Sequence, residues 1–243
     1  MSSIAIMQPY LFPYIGYFQL VDSVDSFVFY DDVNFIKKGW IHRNRIIFQD
    51  EAHFVFVSCE KVSQNKLICD TKLSVNENRM HKWIQTCEHA YKKAPFFQEG
   101  MRILESCFTS KVNSIGELAA ISVQLVSSYL ELNTKWIVSS EHKIGLNCGR
   151  AERLIENCKH FGANTLINPI AGGFLYNPQL FKEHGIDIRL LQYQLNSYLQ
   201  TTTNSFIPGL SILDVIMFNS IDEIRTKILP GYSLTKEIQD YVH

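Results

Sequence analysis

The opening thirty residues constrain this chain more than any other stretch. Ser3–Met7 (SIAIM) is a short apolar run that reads as a buried strand. Gln8-Pro-Tyr-Leu-Phe-Pro13 carries two prolines and reads as a loop. Residues 14–24 place Tyr14, Phe18, Leu20 and Val21 on one broad apolar face at helical spacing, and residues 26–30 (SFVFY) form a second β run. Strand, loop, helix and strand within about 30 residues make a βαβ unit. Such a unit requires parallel pairing and a right-handed crossover.

The later part of the chain follows the same logic. Residues 135–138, 165–168 and 187–192 read as strands. Residues 150–161 and 178–184 read as helices, with Gly162 and Gly185 stopping them. Between the two alternating ends, residues 44–48 and 53–58 alternate around Gln49-Asp50-Glu51 as a hairpin. Residues 77–93, 96–108 and 115–132 show helical apolar spacing, with Pro95 at the start of the second helix. Residues 211–218 and 221–228 read as two last helices. The expected fold class is therefore α/β: a Rossmann-like, doubly wound, mostly parallel sheet with a β-hairpin and a helical insertion or cap over 77–132. No Ser/Gly linker divides the chain, so a single domain over 1–243 is expected.

Composition narrows the function classes. The 243 residues hold 23 Lys+Arg against 24 Asp+Glu, a formal charge of -1. A general nucleic-acid binder carries a basic excess, so nucleic acid is not an expected partner. The 46% hydrophobic content excludes a disordered chain. No apolar run reaches about 18 residues, so no membrane span is expected. The N-terminus has neither a basic leader nor a small-residue cleavage site. The expected location is the reducing cytoplasm, with Cys59, Cys69, Cys87, Cys107, Cys148 and Cys158 as small buried hydrophobes. No cysteine pair has CxxC spacing, and no metal site is expected.

In open α/β sheets, ligands bind beyond the carboxyl ends of the strands. That rule selects residues 8–13, 31–45, 139–149 and 169–177. Gln8 and Tyr10 stand in the first loop. Tyr14-Ile-Gly16-Tyr17 then occupies the place where Rossmann-like nucleotidylyltransferases carry His-x-Gly-His. Tyrosine can bind a phosphate but is neutral at pH 7, which favours a nucleotide-like site over nucleotidylyl transfer. The plain alternative is an aromatic cluster packing the first helix. In the second loop, Asp31 and Asp32 precede Lys37, Lys38, Trp40, His42, Arg43, Asn44 and Arg45. Four cations in nine residues suit a sugar phosphate or diphosphate, with Trp40 as a face for a sugar or base. A solvated charged loop is the alternative.

Asp31 or Asp32 could be a general base or a metal ligand, although no third carboxylate stands nearby. His81, within Arg79-Met-His-Lys-Trp83, is a candidate proton shuttle or a structural residue of the cap. Amides of Asn168-Pro-Ile-Ala-Gly172-Gly173 could meet a phosphate, or form a tight turn. There is no GxGxxG, GxxxxGK[ST] or GxSxG motif. Ser211 and Asp214 have the spacing of a capping arrangement.

Taken together, Gln8-Pro-Tyr-Leu-Phe-Pro-Tyr-Ile-Gly-Tyr-Phe-Gln19, Asp31-Asp32-Val-Asn-Phe35 and Trp40-Ile-His-Arg43-Asn44-Arg45 resemble the WbqC-like family. So do Ala90-Tyr91-Lys-Lys-Ala-Pro95-Phe-Phe, Glu152-Arg153-Leu, Gly172-Gly173 with Tyr176, Tyr198-x-Gln200 and Leu210-Ser211-Ile-Leu-Asp214. One departure is His42, where relatives commonly carry Asn or Arg.

Members of this family occur with genes for O-antigen and other surface polysaccharides. The resemblance implies a transferase moving an N-acyl or aminoacyl group onto an amino sugar nucleotide. The donor would be a thioester on coenzyme A or on a phosphopantetheine carrier protein, with no tightly bound cofactor. His81 or Asp31 would be the base, with Gln8 and Tyr10 near the reacting atoms. Lys38, Arg43 and Arg45 would hold the phosphates. Gly16, Tyr17, Asp32, Trp40, Asn44, Gly172, Gly173, Tyr176, Tyr198, Gln200, Ser211 and Asp214 would complete the binding site. Alternatives are a nucleotide-using ligase or nucleotidylyltransferase relative, and a non-catalytic sugar-nucleotide-binding accessory protein. Self-association is left open.

Overall fold

The structure, a computed structural model, describes residues 2–74, 78–173, 177–200 and 206–236. Strand β1 (Ser3–Met7), helix α1 (Ile15–Asp22) and strand β2 (Ser26–Phe29) form the opening βαβ unit. A hairpin of β3 (Arg43–Phe48) and β4 (Glu51–Phe56) follows, then α2 (Asn78–Tyr91), α3 (Phe97–Phe108) and α4 (Ile115–Tyr129). The chain returns through β5 (Lys135–Val138), α5 (Ser139–His142), α6 (Arg150–His160), β6 (Thr165–Pro169) and α7 (Ile170–Gly173). It ends with α8 (Pro178–Glu183), β7 (Asp187–Tyr193), α9 (Ile212–Phe218), α10 (Ile221–Glu223) and β8 (Tyr232–Thr235).

The main sheet has six strands in the order β5-β2-β1-β6-β7-β8, and the hairpin stands apart as a two-stranded sheet. All pairings from β5 to β7 are parallel; β8 runs antiparallel on the edge. Leaving out the hairpin, the strands read 3-2-1-4-5-6, the doubly wound order of dinucleotide-binding folds. The winding reverses between β1 and β6, so the loops after these strands flank the crevice where such folds hold ligands.

Alternation along the strands builds two cores. Ala5, Phe27, Phe29, Ile167 and Leu191 join the larger core with α1, α4 and α9. Ile4, Ile6, Val28, Ile137 and Leu166 join the other with Leu154, Ile155 and Phe181 from α6 and α8. Burial on both faces explains why β1 is a continuous apolar run rather than an alternating one. The larger core extends without a break into α2, α3 and the hairpin through Trp83, Leu104, Ile46 and Val55. The helical segment therefore shares its packing with the sheet. Ser114 starts α4 with a reciprocal capping box to Glu117.

Some elements differ from their sequence expectations. The hairpin turn is the two-residue pair Gln49-Asp50, with φ of 50° and 62°, so β4 begins at Glu51 and not at 53. Two left-handed residues give a turn whose twist matches the strands. Helix α10 is a single turn that passes into a π-helical turn over Ile224–Ile228, not one regular helix over 221–228. Strand β8 is an addition: four edge residues, the central two exposed and the outer two half-buried, give no alternation to read. The loops at 139 and 170 each begin with a helical turn, α5 and α7. Glu77, the expected start of α2, lies outside the described residues. Among those residues, no helix is long and apolar enough to cross a membrane.

Candidate functional site

The proline-rich loop after β1 is held from several sides. Phe12 adopts a left-handed backbone, φ 45°, which costs about 1–3 kcal/mol for a residue of its size. Its own groups offset that cost. The Phe12 N–H donates to Ser122 Oγ at 2.9 Å, and its carbonyl accepts from Asn44 Nδ2 at 2.6 Å and Ser211 Oγ at 2.8 Å. Asn44 Nδ2 also reaches the Leu11 carbonyl at 3.1 Å, and its Oδ1 accepts the Arg45 N–H at 2.8 Å. The Leu11 N–H donates to the Trp40 carbonyl at 3.1 Å. Buried Tyr17 donates its hydroxyl to the Gln8 carbonyl at 3.0 Å. Asn44, Ser211 and Tyr17 thus act on the loop's backbone.

Above this loop lies a pocket of about 330 Å³. Tyr10, Pro13 and Tyr14 line it from the β1 side, Trp40 from the loop before the hairpin, Asn44 and Arg45 from β3, and Tyr193 and Leu195 from the end of β7; Pro208 and Gly209 close it. Tyr14 stands edge-on to Tyr193, with ring centroids 5.2 Å apart. Gly16 makes that possible: a Cβ there would lie 2.4 Å from the Tyr14 ring. Of the Tyr14–Tyr17 pair, Tyr14 lines the pocket, while Tyr17 lies beneath the loop.

Burial raises the pKa of Tyr10, and burial followed by neighbouring Tyr193 raises that of Tyr14. Both phenols therefore stay protonated at neutral pH and can donate hydrogen bonds. Arg45 Nη2 donates to the Gly209 carbonyl at 3.2 Å, and its guanidinium lies 5.6 Å from the Trp40 ring centre. Its buried Nε has no protein partner. Gly209 sits at φ 69°, a conformation that glycine adopts at little cost.

The neighbouring strand ends carry the aspartates. Asp31 Oδ1 accepts the Ser140 N–H at 2.9 Å, and Oδ2 accepts the Ser140 hydroxyl at 2.7 Å. Burial raises its pKa, outweighing those bonds. Asp32 pairs with Arg153 at 2.6 Å, both buried, while Arg153 Nε donates to the Ile144 carbonyl and its guanidinium lies 4.6 Å from the Tyr30 ring centre. Asp32 Oδ1 has no partner. Among the described residues, no three His, Cys, Asp or Glu side chains converge as metal ligands.

His81 is exposed on α2, 3.1 Å from Gln85, and lines a separate depression of about 650 Å³ with Met80, Ile84, Phe108 and Asn113. The structure does not bring it into the pocket with Tyr10 and Arg45. Gly172 lies in α7, where an added Cβ would stand 3.3 Å from Asn168 Nδ2. Gly173 ends the same turn. Tyr176 lies outside the described residues. Gln8 is half-buried beside Tyr10. His42 is half-buried with an unpartnered Nδ1; burial first, then Arg43, lowers its pKa to about 4, so it is neutral at pH 7.

Behind the pocket, Asp214 is fully buried. Its Oδ1 accepts from Tyr91 at 2.9 Å, and its Oδ2 accepts from Tyr198 at 2.6 Å and Gln200 at 3.0 Å. Gln200 also exchanges bonds with Ile207, donating to its carbonyl at 2.9 Å and accepting its N–H at 2.7 Å. The Tyr91 hydroxyl accepts the Ile47 N–H at 3.1 Å. This network connects α2, β3, α9 and the segment that delivers Pro208 and Gly209. Ser211 caps α9 by accepting the Leu213 N–H.

The sequence profile of the WbqC-like protein family matches residues 8–226, most of the chain and all of these features. The chain belongs to the WbqC-like family. It is also 25% identical over 221 residues to a Mycobacterium tuberculosis (strain ATCC 25618 / H37Rv) protein named "Uncharacterized protein Rv1507c", covering 90% of this chain and 94% of the relative. No solved structure matches it.

In this WbqC-like protein, the motif residues divide by role. Tyr10, Trp40 and Arg45 face the pocket, whereas Asn44, Tyr17, Ser211, Asp214, Tyr198 and Gln200 hold its walls through buried hydrogen bonds. Sequence reasoning gave no site role to Tyr193 or to Pro208-Gly209. Tyr193 ends β7, and ranking the loop after that strand with the others would have found it. Pro208-Gly209 belong to the same connection but stand late in it, near the start of α9.

Proposed function

We propose that this WbqC-like protein is a transferase of surface-polysaccharide assembly, moving an acyl or aminoacyl group from a thioester to the amino group of a nucleotide-linked sugar. The observation that carries this reading is the aromatic pocket at the carboxyl ends of β1 and β7, with Arg45 in its wall. Aromatic faces suit the C–H face of a sugar ring, and a guanidinium suits a diphosphate.

The sugar amine attacks the thioester carbonyl; the carbon–nitrogen bond forms, the carbon–sulfur bond breaks, and the thiol leaves with a proton. The protonated phenols of Tyr10 and Tyr14 are suited to donate to the developing oxyanion. The described lining has no carboxylate or imidazole. The reading assigns the amine proton to Asp31, at the next strand end, whose raised pKa makes it a stronger base than an ordinary carboxylate. His81 has no part in it.

The test is incubation of the purified protein with acyl-coenzyme A or acyl-carrier thioesters and a panel of amino sugar nucleotides. Mass spectrometry should show a new amide, and Arg45→Ala should reduce kcat/KM at least tenfold. No amide with any donor and acceptor pair refutes the reading.

A further inference from the structure

The outer face of the hairpin is apolar where a solvent-facing sheet is ordinarily polar. Phe54 and Phe56 are 45% and 42% exposed, and Ile36 and Trp40 in the preceding loop are 45% and 36% exposed. Trp40 stacks on Phe54, with centroids 6.2 Å apart and planes 21° from parallel. Register places Arg45 opposite Phe54 and Arg43 opposite Phe56, so both arginines share this face. The Arg43 guanidinium lies 4.7 Å from the Phe54 ring centre, and its Nε donates to the Gly39 carbonyl. Lys37 and Lys38 are exposed at the border. Among the described residues, none of these four cations has an ion-pair partner. The patch thus combines contiguous apolar area with unneutralised positive charge, features that mark a protein-binding surface.

The patch is continuous with the pocket, since Trp40 and Arg45 belong to both. Its complement is an acidic surface with apolar side chains between the carboxylates, presented beside a group that enters the pocket. We propose that this face docks an acidic, phosphopantetheine-bearing carrier protein, whose thioester arm passes Trp40 into the pocket. This rests on the transferase reading above and names the donor within it. A flat sheet face suits a protein helix better than the adenine of coenzyme A, which binds best in a cleft. Opposite charge accelerates the encounter and makes it salt-dependent.

The test uses the acidic holo-carrier proteins encoded by the host genome, each labelled with nitrogen-15 and titrated with the full chain. The expected result is that one binds, with shifts concentrated along an acidic helix. Its affinity should fall at least tenfold from 50 to 300 mM salt, and at least tenfold for each of Phe54→Ser and Lys37→Glu. Amide formation from acyl-coenzyme A should be unchanged in Ile36→Ser, while formation from the acylated carrier falls. The inference is overturned if no carrier binds, if the variants bind it equally well, or if RNA or anionic vesicles bind the patch and carriers do not. Amide formation from acyl-coenzyme A without carrier binding refutes the docking and leaves the transferase reading. Carrier binding through the hairpin without amide from any donor does the reverse.

Discussion

Asp214 offers a test in which one buried carboxyl reports on the whole wall of the pocket. Burial raises its pKa from 3.8 to about 6, while the bonds from Tyr198, Tyr91 and Gln200 pull the other way without cancelling the shift. Folding therefore favours the protonated form. The resulting stability is fully present below the unfolded-state value and is lost as pH rises toward the folded-state value. The full difference is about 3 kcal/mol, and roughly 2 kcal/mol of it falls between pH 4.5 and 7.5.

Asp214→Asn keeps the shape and removes the titration. Every other group titrates alike in both proteins, so the difference between their pH profiles isolates this carboxyl. The assay is urea unfolding of both at pH 4.5, 5.5, 6.5 and 7.5. Relative to Asp214→Asn, the wild type should lose about 2 kcal/mol across that range, or about 4–8 °C in Tm for a chain of this size. A flat difference, or a wild type that gains on the variant as pH rises, would refute the assignment of a buried carboxyl whose hydrogen bonds do not offset its desolvation.

Arg153→Met should cost about 3–5 kcal/mol in chemical denaturation by stranding the buried Asp32 carboxylate. Adding Asp32→Asn should restore most of that loss, and no restoration would exclude the pairing as the cause. Asn44→Ala removes the partner of the Leu11 carbonyl and one of the two partners of the Phe12 carbonyl, so a loss of about 2–3 kcal/mol is expected by thermal denaturation. Gly16→Ala should change stability by less than about 1 kcal/mol, because alanine favours the helix. It should displace the Tyr14 ring and weaken amino sugar nucleotide binding by calorimetry; unchanged affinity would remove Tyr14 from the site. His81→Ala should leave amide formation intact, and a large fall in kcat would return His81 to the chemistry.

Sequence patterns located the parallel sheet because burial on both faces leaves a local signature. The SIAIM run, the proline loop and the SFVFY run are each legible in a few residues. The same holds for the hairpin and for the place of its turn, which takes two residues, Gln49 and Asp50, where the pattern gave three. Strand β8 was not legible, because a short exposed edge strand is defined by its neighbour rather than by its own pattern. In the site, residue type separated the candidates from the rest of the chain but did not assign their roles. Asn44, Tyr17 and Asp214 have polar groups suited to a ligand, yet these groups bond to the Leu11, Phe12 and Gln8 carbonyls, Tyr91, Tyr198 and Gln200.

The sequence alone determined the α/β class, the strand ends beyond which the candidate pocket lies, and membership of a family whose motifs run along most of the chain. Those properties depend on periodicity and residue identity, which are local. Tertiary structure decided which side of each motif faces the pocket. It placed Tyr193 and Pro208-Gly209 beside Tyr10, moved His81 to a different depression, and paired Asp32 with Arg153 across 121 positions of sequence. Contacts of that range depend on the order in which the strands are wound. The reversal between β1 and β6 brings together loops that the linear chain keeps far apart.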